Sequence, residues 1–98
     1  MTRGVVFRPQ ARQEFDSAAD WYEREQPGLG GAFLAEVERL LHLIAGNPSS
    51  FPEVLNGVRK AVVRRFPYYI YFRIRAETIV VLAVFHSARN PTLWRARS

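Results

Sequence analysis

An uninterrupted apolar run, from Ile79 to Phe85, constrains the fold of this chain more than any other segment. Four of its seven residues are β-branched, which is typical of a strand. The run passes directly into the polar and basic segment from His86 to Arg89. A rigid strand whose end presents imidazole and guanidinium groups is a platform for binding or chemistry. We therefore expect a central strand that ends at a candidate site, although an ordinary exit turn would give the same pattern.

The length and composition indicate one small intracellular domain. A chain of 98 residues can bury one hydrophobic core and is too short for two, so we predict a single domain over residues 1–98. The absence of cysteine excludes disulfides and thiolate metal sites and fits a reducing compartment. No segment resembles a signal peptide or approaches the roughly 20 apolar residues of a membrane span. We expect a cytoplasmic protein without membrane association.

The positive charge is concentrated in one half of the chain. Residues 9–46 carry three Arg against seven acidic residues, a net charge of −4, whereas residues 47–98 carry nine cations against two acids, a net charge of +7. Thirteen of the fourteen cations are Arg, which favours bidentate contacts with carboxylates or phosphates. The asymmetry predicts an electropositive face for an acidic partner or a phosphate backbone, with a simply solvated basic surface as the alternative.

The first half of the chain has helical periodicity. A short strand at residues 5–7 precedes Pro9, a residue that suits the first turn of a helix. One apolar set then predicts a helix to about Gln26: Ala11, Phe15, Ala18, Ala19 and Tyr22. After Pro27 and Gly28 a second set predicts a helix that ends near Gly46: Leu29, Phe33, Val37, Leu40, Leu41 and Ile44. The short break between the two sets predicts a helix hairpin.

From Gly57 onward the pattern becomes extended. Three segments rich in β-branched and aromatic residues predict strands, at Val58–Arg65, Tyr69–Arg75 and Thr78–His86. Their short connections predict a meander. The predicted fold is therefore α+β, in the order β-α-α-β-β-β, with the helix hairpin packed on one face of a mainly antiparallel sheet.

The alternation of residues along these strands assigns side chains to two faces. If the turn near Ala76 contains an even number of residues, one set of side chains lies beneath the helices: Ile70, Phe72, Ile74, Ile79, Val81, Ala83 and Phe85. The opposite face then holds Tyr69, Tyr71, Arg73, Val80, Leu82, Val84 and His86. An even turn at Pro67 would add Val58, Lys60, Val62 and Arg64, and an odd turn would exchange Arg64 for Arg65. No predicted helix remains to cover the apolar strip of this second face, so it is either a binding surface or sealed by the segment containing Leu93 and Trp94.

Metal and phosphate-loop chemistry have no support in the sequence. The two histidines, His42 and His86, are distant in the chain, and no cluster of His and carboxylates has metal-ligand spacing. We expect neither a metal nor a cofactor. The glycines after Pro27 lie between two predicted helices and not after a strand, so they predict a turn and not a dinucleotide loop.

The chain resembles the RelE/ParE superfamily of bacterial toxins, and within it the ParE-like branch often labelled plasmid stabilisation proteins. The likeness lies in the order of elements and in two segments, VRKAVVRRFPYYIYFRI at residues 58–74 and VLAVFHSARNP at residues 81–91. The most specific stretch is Arg64 to Tyr68, followed by the aromatic strand and then by His86, Arg89 and Pro91. The resemblance covers nearly the whole chain.

The resemblance implies a growth-inhibiting toxin held silent by a cognate antitoxin that is encoded beside it. Such antitoxins typically wrap an acidic, partly disordered tail around the toxin and order as they bind, which matches the basic half and the apolar strip. The expected assembly is a hetero-oligomer. Eight residues are expected to contact the antitoxin or the target: Lys60, Arg64, Tyr69, Tyr71, Arg73, Leu82, Arg89 and Trp94.

The resemblance leaves two targets open. ParE-like members bind and poison DNA gyrase, whereas RelE-like members cleave ribosome-bound mRNA without metal. Cleavage needs a base for the 2′-hydroxyl proton, an acid for the 5′ oxygen and a cation at the phosphorane. The candidate acid is His86, the candidate cation is Arg65 or Arg64, and the candidate base is Glu53.

The ribonuclease match is the thinner of the two. Glu53 lies in a predicted loop, where a glutamate is usually a solvated residue. The lysines that several RNA-cleaving members bring to the phosphates are reduced here to Lys60. We therefore expect non-enzymatic inhibition of gyrase, with mRNA cleavage as the alternative. A third alternative is an inactive family member that only binds its antitoxin.

Overall fold

The computed structural model of the protein describes residues 3–97 and confirms the predicted α+β class and order of elements. The elements are β1 (Gly4–Phe7), α1 (Pro9–Glu25), α2 (Leu29–Gly46), β2 (Glu53–Leu55), β3 (Val58–Val62), β4 (Tyr68–Arg75), β5 (Thr78–His86) and α3 (Thr92–Arg95). The sequence pattern predicts neither β2 nor α3, because three or four residues are too few to show a period. None of the helices within residues 3–97 combines the length and the hydropathy that a membrane span requires.

The helix hairpin is held at its turn by a carboxylate and a glycine. Gly28 has a left-handed backbone (φ 90°), and the Glu23 carboxylate accepts the backbone N–H groups of Gly28 and Gly30 at 3.0 Å. These are N–H groups that the start of a helix leaves without helical partners. A Cβ at Gly30 would lie 2.7 Å from the Ala19 carbonyl oxygen, so this position requires glycine for α1 and α2 to approach. The predicted turn is confirmed.

The five strands form one sheet in the order β1-β5-β4-β3-β2. β1 is parallel to β5, and the other neighbours are antiparallel. β5 is therefore an interior strand, as its apolar run predicts. The hairpin covers one face, here called the helix-covered face. Its main core contains Phe15, Phe33, Val37, Ile70, Phe72, Ile79 and Val81.

The connection before β4 differs from the prediction. β3 ends at Val62 and not at Arg65. The Val63 N–H still donates to the Tyr68 carbonyl, and the left-handed backbone of Arg65 (φ 72°) then turns the chain. The register pairs Lys60 with Tyr71, so the even alternative is correct for β3. Three residues of β3 consequently share the second face with Tyr69, Tyr71 and Arg73: Val58, Lys60 and Val62.

A β-bulge at Leu82 reverses the predicted faces at the end of β5. Phe72 pairs with Val81, but Tyr71 pairs with Ala83, so Leu82 is one extra residue on β5. An extra residue flips every later side chain to the other face. The prediction for the last four residues of β5 is therefore wrong. Ala83 and Phe85 belong to the second face, Val84 joins the helix-covered core, and the His86 ring lies against Tyr68.

Candidate functional site

The half of the second face that carries Tyr71 and Phe85, here called the upper half, is sealed by the end of the chain. α3 places Trp94 on Tyr71, with ring centroids 3.9 Å apart and planes inclined by 21°. Trp94 and Leu82 are each 1% exposed and pack with Val58 and Phe85. The prediction of an uncovered strip is wrong for this half, and the alternative of sealing by the tail is correct. Leu82 and Trp94 are thus core residues here, whereas both are among the predicted partner contacts.

A narrow cleft remains beside Trp94, and we call it the aromatic cleft. It encloses about 260 Å³ and is defined by Lys60, Tyr69, Tyr71, His86 and Arg89. The Lys60 Nζ lies 4.2 Å from the centre of the Tyr69 ring, and the Arg89 guanidinium lies 4.0 Å from that of Phe85. A cation over a ring face is attracted by the electrons of the ring. Arg89 is in addition paired with the Glu14 carboxylate at 3.1 Å.

The lower half of the second face is open. We call it the arginine shelf, defined by Arg8, Leu55, Arg73 and Arg75. Together with Asn56, Arg97 and the buried Leu82 they border a cavity of about 390 Å³. The predicted contact residue Arg73 is half-buried there. The prediction of a cationic and partly apolar surface therefore describes this half.

The side chain of Glu14 joins α1 to the tail and to the edge of β5. Its carboxylate accepts hydrogen bonds from both Arg97 terminal nitrogens (2.8 and 3.0 Å), from Arg89 (3.1 Å) and from the Val84 backbone N–H (3.1 Å). Arg97 also donates to the Leu82 carbonyl at 3.2 Å. β1 stops pairing with β5 before these residues. The Glu14 and Arg97 side chains therefore bond the Val84 N–H and the Leu82 carbonyl, which a longer β1 would have bonded.

A wider groove runs between α1 and the end of β5. It encloses about 760 Å³, and its lining includes Glu14, Trp21, Tyr68, His86 and Arg89. Trp21 is 51% exposed, although it makes an edge-on ring contact with Tyr22. An exposed tryptophan next to an arginine and a histidine is suited to bind a protein segment that carries both apolar and acidic groups.

The candidate base Glu53 and the candidate acid His86 lie on strands that are not neighbours. Glu53 is in β2, 3.9 Å from Arg59, and Arg65 is on the turn before β4, 3.9 Å from Glu36. β2 lies three strands from β5, which carries His86, so about 14 Å of sheet separates the two strands. An acid and a base that act on one phosphodiester must each come within about 3 Å of it. Glu53 and His86 do not meet this requirement.

His86 is partly engaged by its own turn. The Ala88 backbone N–H donates to His86 Nδ1 at 3.0 Å, so the neutral imidazole carries its proton on Nε2. The ring stands edge-on to Tyr68 with centroids 5.2 Å apart. His86 borders both the aromatic cleft and the groove beside α1. Within residues 3–97, no group of three or more His, Asp or Glu residues could hold a metal ion.

Burial raises the pKa of three tyrosine hydroxyls, Tyr22, Tyr68 and Tyr71, above the ordinary value of 10.0. A phenol whose pKa is higher in the folded than in the unfolded state favours folding while it is protonated. This contribution to stability is fully present below pH 10 and is lost as the pH rises through the folded-state pKa. We expect the melting temperature to fall above pH 10. Tyr71→Phe should lose less stability over the same pH interval, and an equal loss in both proteins would contradict the expectation.

Sequence reasoning missed several residues of these surfaces. Arg8 and Arg75 could have been found, because they share the alternation of Val6 and Arg73 along their strands. Glu14 and Arg97 gave no such signal, since 82 residues separate them and their contact depends on the path of the tail. Arg64, which is a predicted contact, is exposed on the turn after β3 and outside both surfaces.

Two solved chains share this fold. The chain superposes on a chain of the chromosomal ParDE toxin-antitoxin system from P. aeruginosa with a TM-score of 0.75 and 17% identity, covering 87% of this chain and 96% of the other. A chain of the RelBE2 toxin-antitoxin complex from Mycobacterium tuberculosis gives a TM-score of 0.61 and 24% identity, covering 88% and 99%. No curated protein sequence matches the chain.

The family follows from the sequence itself. Residues 5–91 match the family model described as the ParE toxin of the type II toxin-antitoxin system, parDE. The chain belongs to this family of toxins, as the resemblance predicted. An antitoxin is therefore its expected partner.

Proposed function

We propose that this toxin acts in the cytoplasm as a non-enzymatic inhibitor of DNA gyrase, which it binds through a protein surface. The observation that carries the proposal is the separation of Glu53 from His86, because metal-free cleavage needs its acid and base on one phosphate. An inhibitor that works by binding needs no such arrangement. It needs only an accessible, rigid surface.

The antitoxin that silences the toxin is proposed to carry an acidic, partly disordered tail. Nine of the fourteen cations lie in the second half of the chain, which supplies β2 to β5 and the tail. A disordered acidic segment gains many charge-assisted contacts on such a surface while it orders. Growth inhibition and plasmid stabilisation would then depend on how fast the antitoxin is lost.

Cleavage of ribosome-bound mRNA is the second candidate, and the aromatic cleft favours it. Lys60, His86 and Arg89 meet there beside two tyrosine rings. Cations with ring faces bind the phosphates and bases of single-stranded RNA. The groups present could bind RNA, but no carboxylate is among the residues that define the cleft.

The two candidates are separated by a pair of assays on antitoxin-free protein. We expect the protein to block supercoiling by purified gyrase and to leave ribosome-bound mRNA intact, because its candidate acid and base lie on separate strands. Pre-incubation with the antitoxin is the control and should restore supercoiling. Cleavage that falls by orders of magnitude in His86→Ala would instead establish the ribonuclease. A protein without effect in either assay, and without effect on growth, would be only a binding module.

A further inference from the structure

The groove between α1 and the end of β5 has a helix wall without free charge. Four uncharged side chains recur along α1 and line this wall: Gln10, Gln13, Ser17 and Trp21. Their spacings of three, four and four residues place them on one face of the helix. The charged residue of α1 in the lining is Glu14, and its carboxylate already accepts four hydrogen bonds. The helix wall therefore offers an exposed indole ring in neutral surroundings.

The opposite wall of the groove offers hydrogen-bond donors. It contains Tyr68 on β4, His86 at the end of β5 and Arg89 on the turn that follows. The neutral His86 ring carries its proton on Nε2, because Nδ1 accepts the Ala88 N–H. Within residues 3–97, neither this N–H nor the Tyr68 hydroxyl nor the Trp21 indole N–H has a hydrogen-bond partner. A partner that brings hydrogen-bond acceptors would therefore meet unused donors on both walls.

The charges around the groove disfavour a polyanion. Arg89 and Arg97 border the groove but are paired with Glu14. The exposed charged residues of α1 outside the groove are four acids against two arginines, a net charge of −2: Asp16, Asp20, Glu23, Glu25, Arg12 and Arg24. An acidic antitoxin tail or an RNA along this helix would be repelled by its negative edge. The groove is therefore suited to a protein segment that is mainly apolar and uncharged.

We propose that this groove is the surface through which the toxin binds gyrase, with an apolar side chain of gyrase on the Trp21 ring and a hydrogen-bond acceptor at Tyr68 and His86. The inference rests on the proposed function, because it names the surface that contacts the same target. The cavity of about 760 Å³ is large enough to enclose side chains of a partner. Tryptophan is also among the residue types that contribute most to the free energy of binding at protein interfaces.

Supercoiling assays with purified gyrase and antitoxin-free toxin test this inference. Trp21→Ala is expected to raise the toxin concentration for half-maximal inhibition at least about tenfold, because it removes the apolar contact at the groove. The matched control is Leu43→Ala on α2, since Leu43 is 53% exposed and Trp21 is 51% exposed. Leu43 lies outside the groove, so its substitution should change that concentration less than about twofold. Both variants should bind the antitoxin within about threefold of the wild type.

A second pair of variants tests the groove without removing a contact. Ser17→Arg places a long side chain in the middle of the helix wall and should weaken inhibition at least about tenfold, because it occupies the space that the partner needs. Gln26→Arg adds the same charge at an exposed position after the end of α1 and should weaken inhibition less than about twofold. Urea unfolding shows whether each variant is folded.

Three results would overturn the inference and leave the proposed function standing. The first is inhibition of gyrase by folded Ser17→Arg or Trp21→Ala at the wild-type concentration. The second is a loss of antitoxin binding in both groove variants, which would assign the groove to the antitoxin. The third is a single-stranded RNA that binds the wild type but not Trp21→Ala. A wild-type toxin that leaves supercoiling unaffected would instead remove the proposed function, and the inference with it.

Discussion

Replacing Trp94 by alanine is expected to lower the free energy of unfolding by about 3–5 kcal/mol. Trp94 is 1% exposed and stacked on Tyr71, and loss of a buried tryptophan leaves a cavity in addition to the lost burial. The substitution also opens the upper half of the second face, because Trp94 is the one buried residue of α3. Urea unfolding followed by circular dichroism measures the change.

Two variants serve as controls for Trp94. Trp94→Phe keeps an aromatic ring on Tyr71 and should cost less than about 1.5 kcal/mol. Trp21→Ala removes the other tryptophan, which is 51% exposed, and should cost less than about 1 kcal/mol. If Trp94→Ala costs no more than Trp21→Ala, the tail does not seal the sheet in solution.

Replacing Glu14 by alanine is expected to lower the free energy of unfolding by about 2–3 kcal/mol. The Glu14 and Arg97 side chains are 15% and 17% exposed. The substitution leaves a largely buried guanidinium with the Leu82 carbonyl but without its carboxylate, and it leaves the Val84 N–H without its acceptor. Breaking a buried pair costs more than the pair contributes, because one charge stays desolvated. The same urea titration measures this loss of stability, and the hydrogen-exchange rate of the Val84 amide should rise.

Neighbouring substitutions test the role of the Glu14 carboxylate. Glu14→Gln keeps an acceptor for Val84 and should cost about half as much as alanine. Asp16→Ala removes an exposed acid from the same helix, whose side chain is 55% exposed, and should change stability by less than about 0.5 kcal/mol. Equal effects at Glu14 and Asp16 would show that the contacts with Arg97 and Val84 contribute nothing.

Much of the fold could be predicted because its patterns are local. The helix boundaries follow from Pro9, from Pro27 with Gly28, and from Gly46, and the bounds of β5 agree with its apolar run. β2 could not be predicted, because its three residues follow Pro52 and pair only through contacts with β3. Local propensity carries no information about such pairing.

The site was harder to predict because it depends on register and on long-range contacts. Lys60, Tyr69 and Arg89 do meet at one cleft, and Arg73 lies on an open cationic surface. The burial of Trp94 depends on where the tail returns, which no periodicity encodes. The bulge at Leu82 also leaves no signal in the sequence, since each residue near it suits an ordinary strand.

That bulge makes the spacing of β5 as important as its hydrophobicity. Single-residue deletion between Val81 and Val84 would leave an apolar strand of normal appearance. It would nevertheless rotate the following residues by half a turn, sending Phe85 toward α1 and His86 toward Trp94. Alignments of distant relatives, and designs built on this scaffold, therefore have to conserve the count of residues through this strand, because gaps here exchange the inside of the protein with its outside.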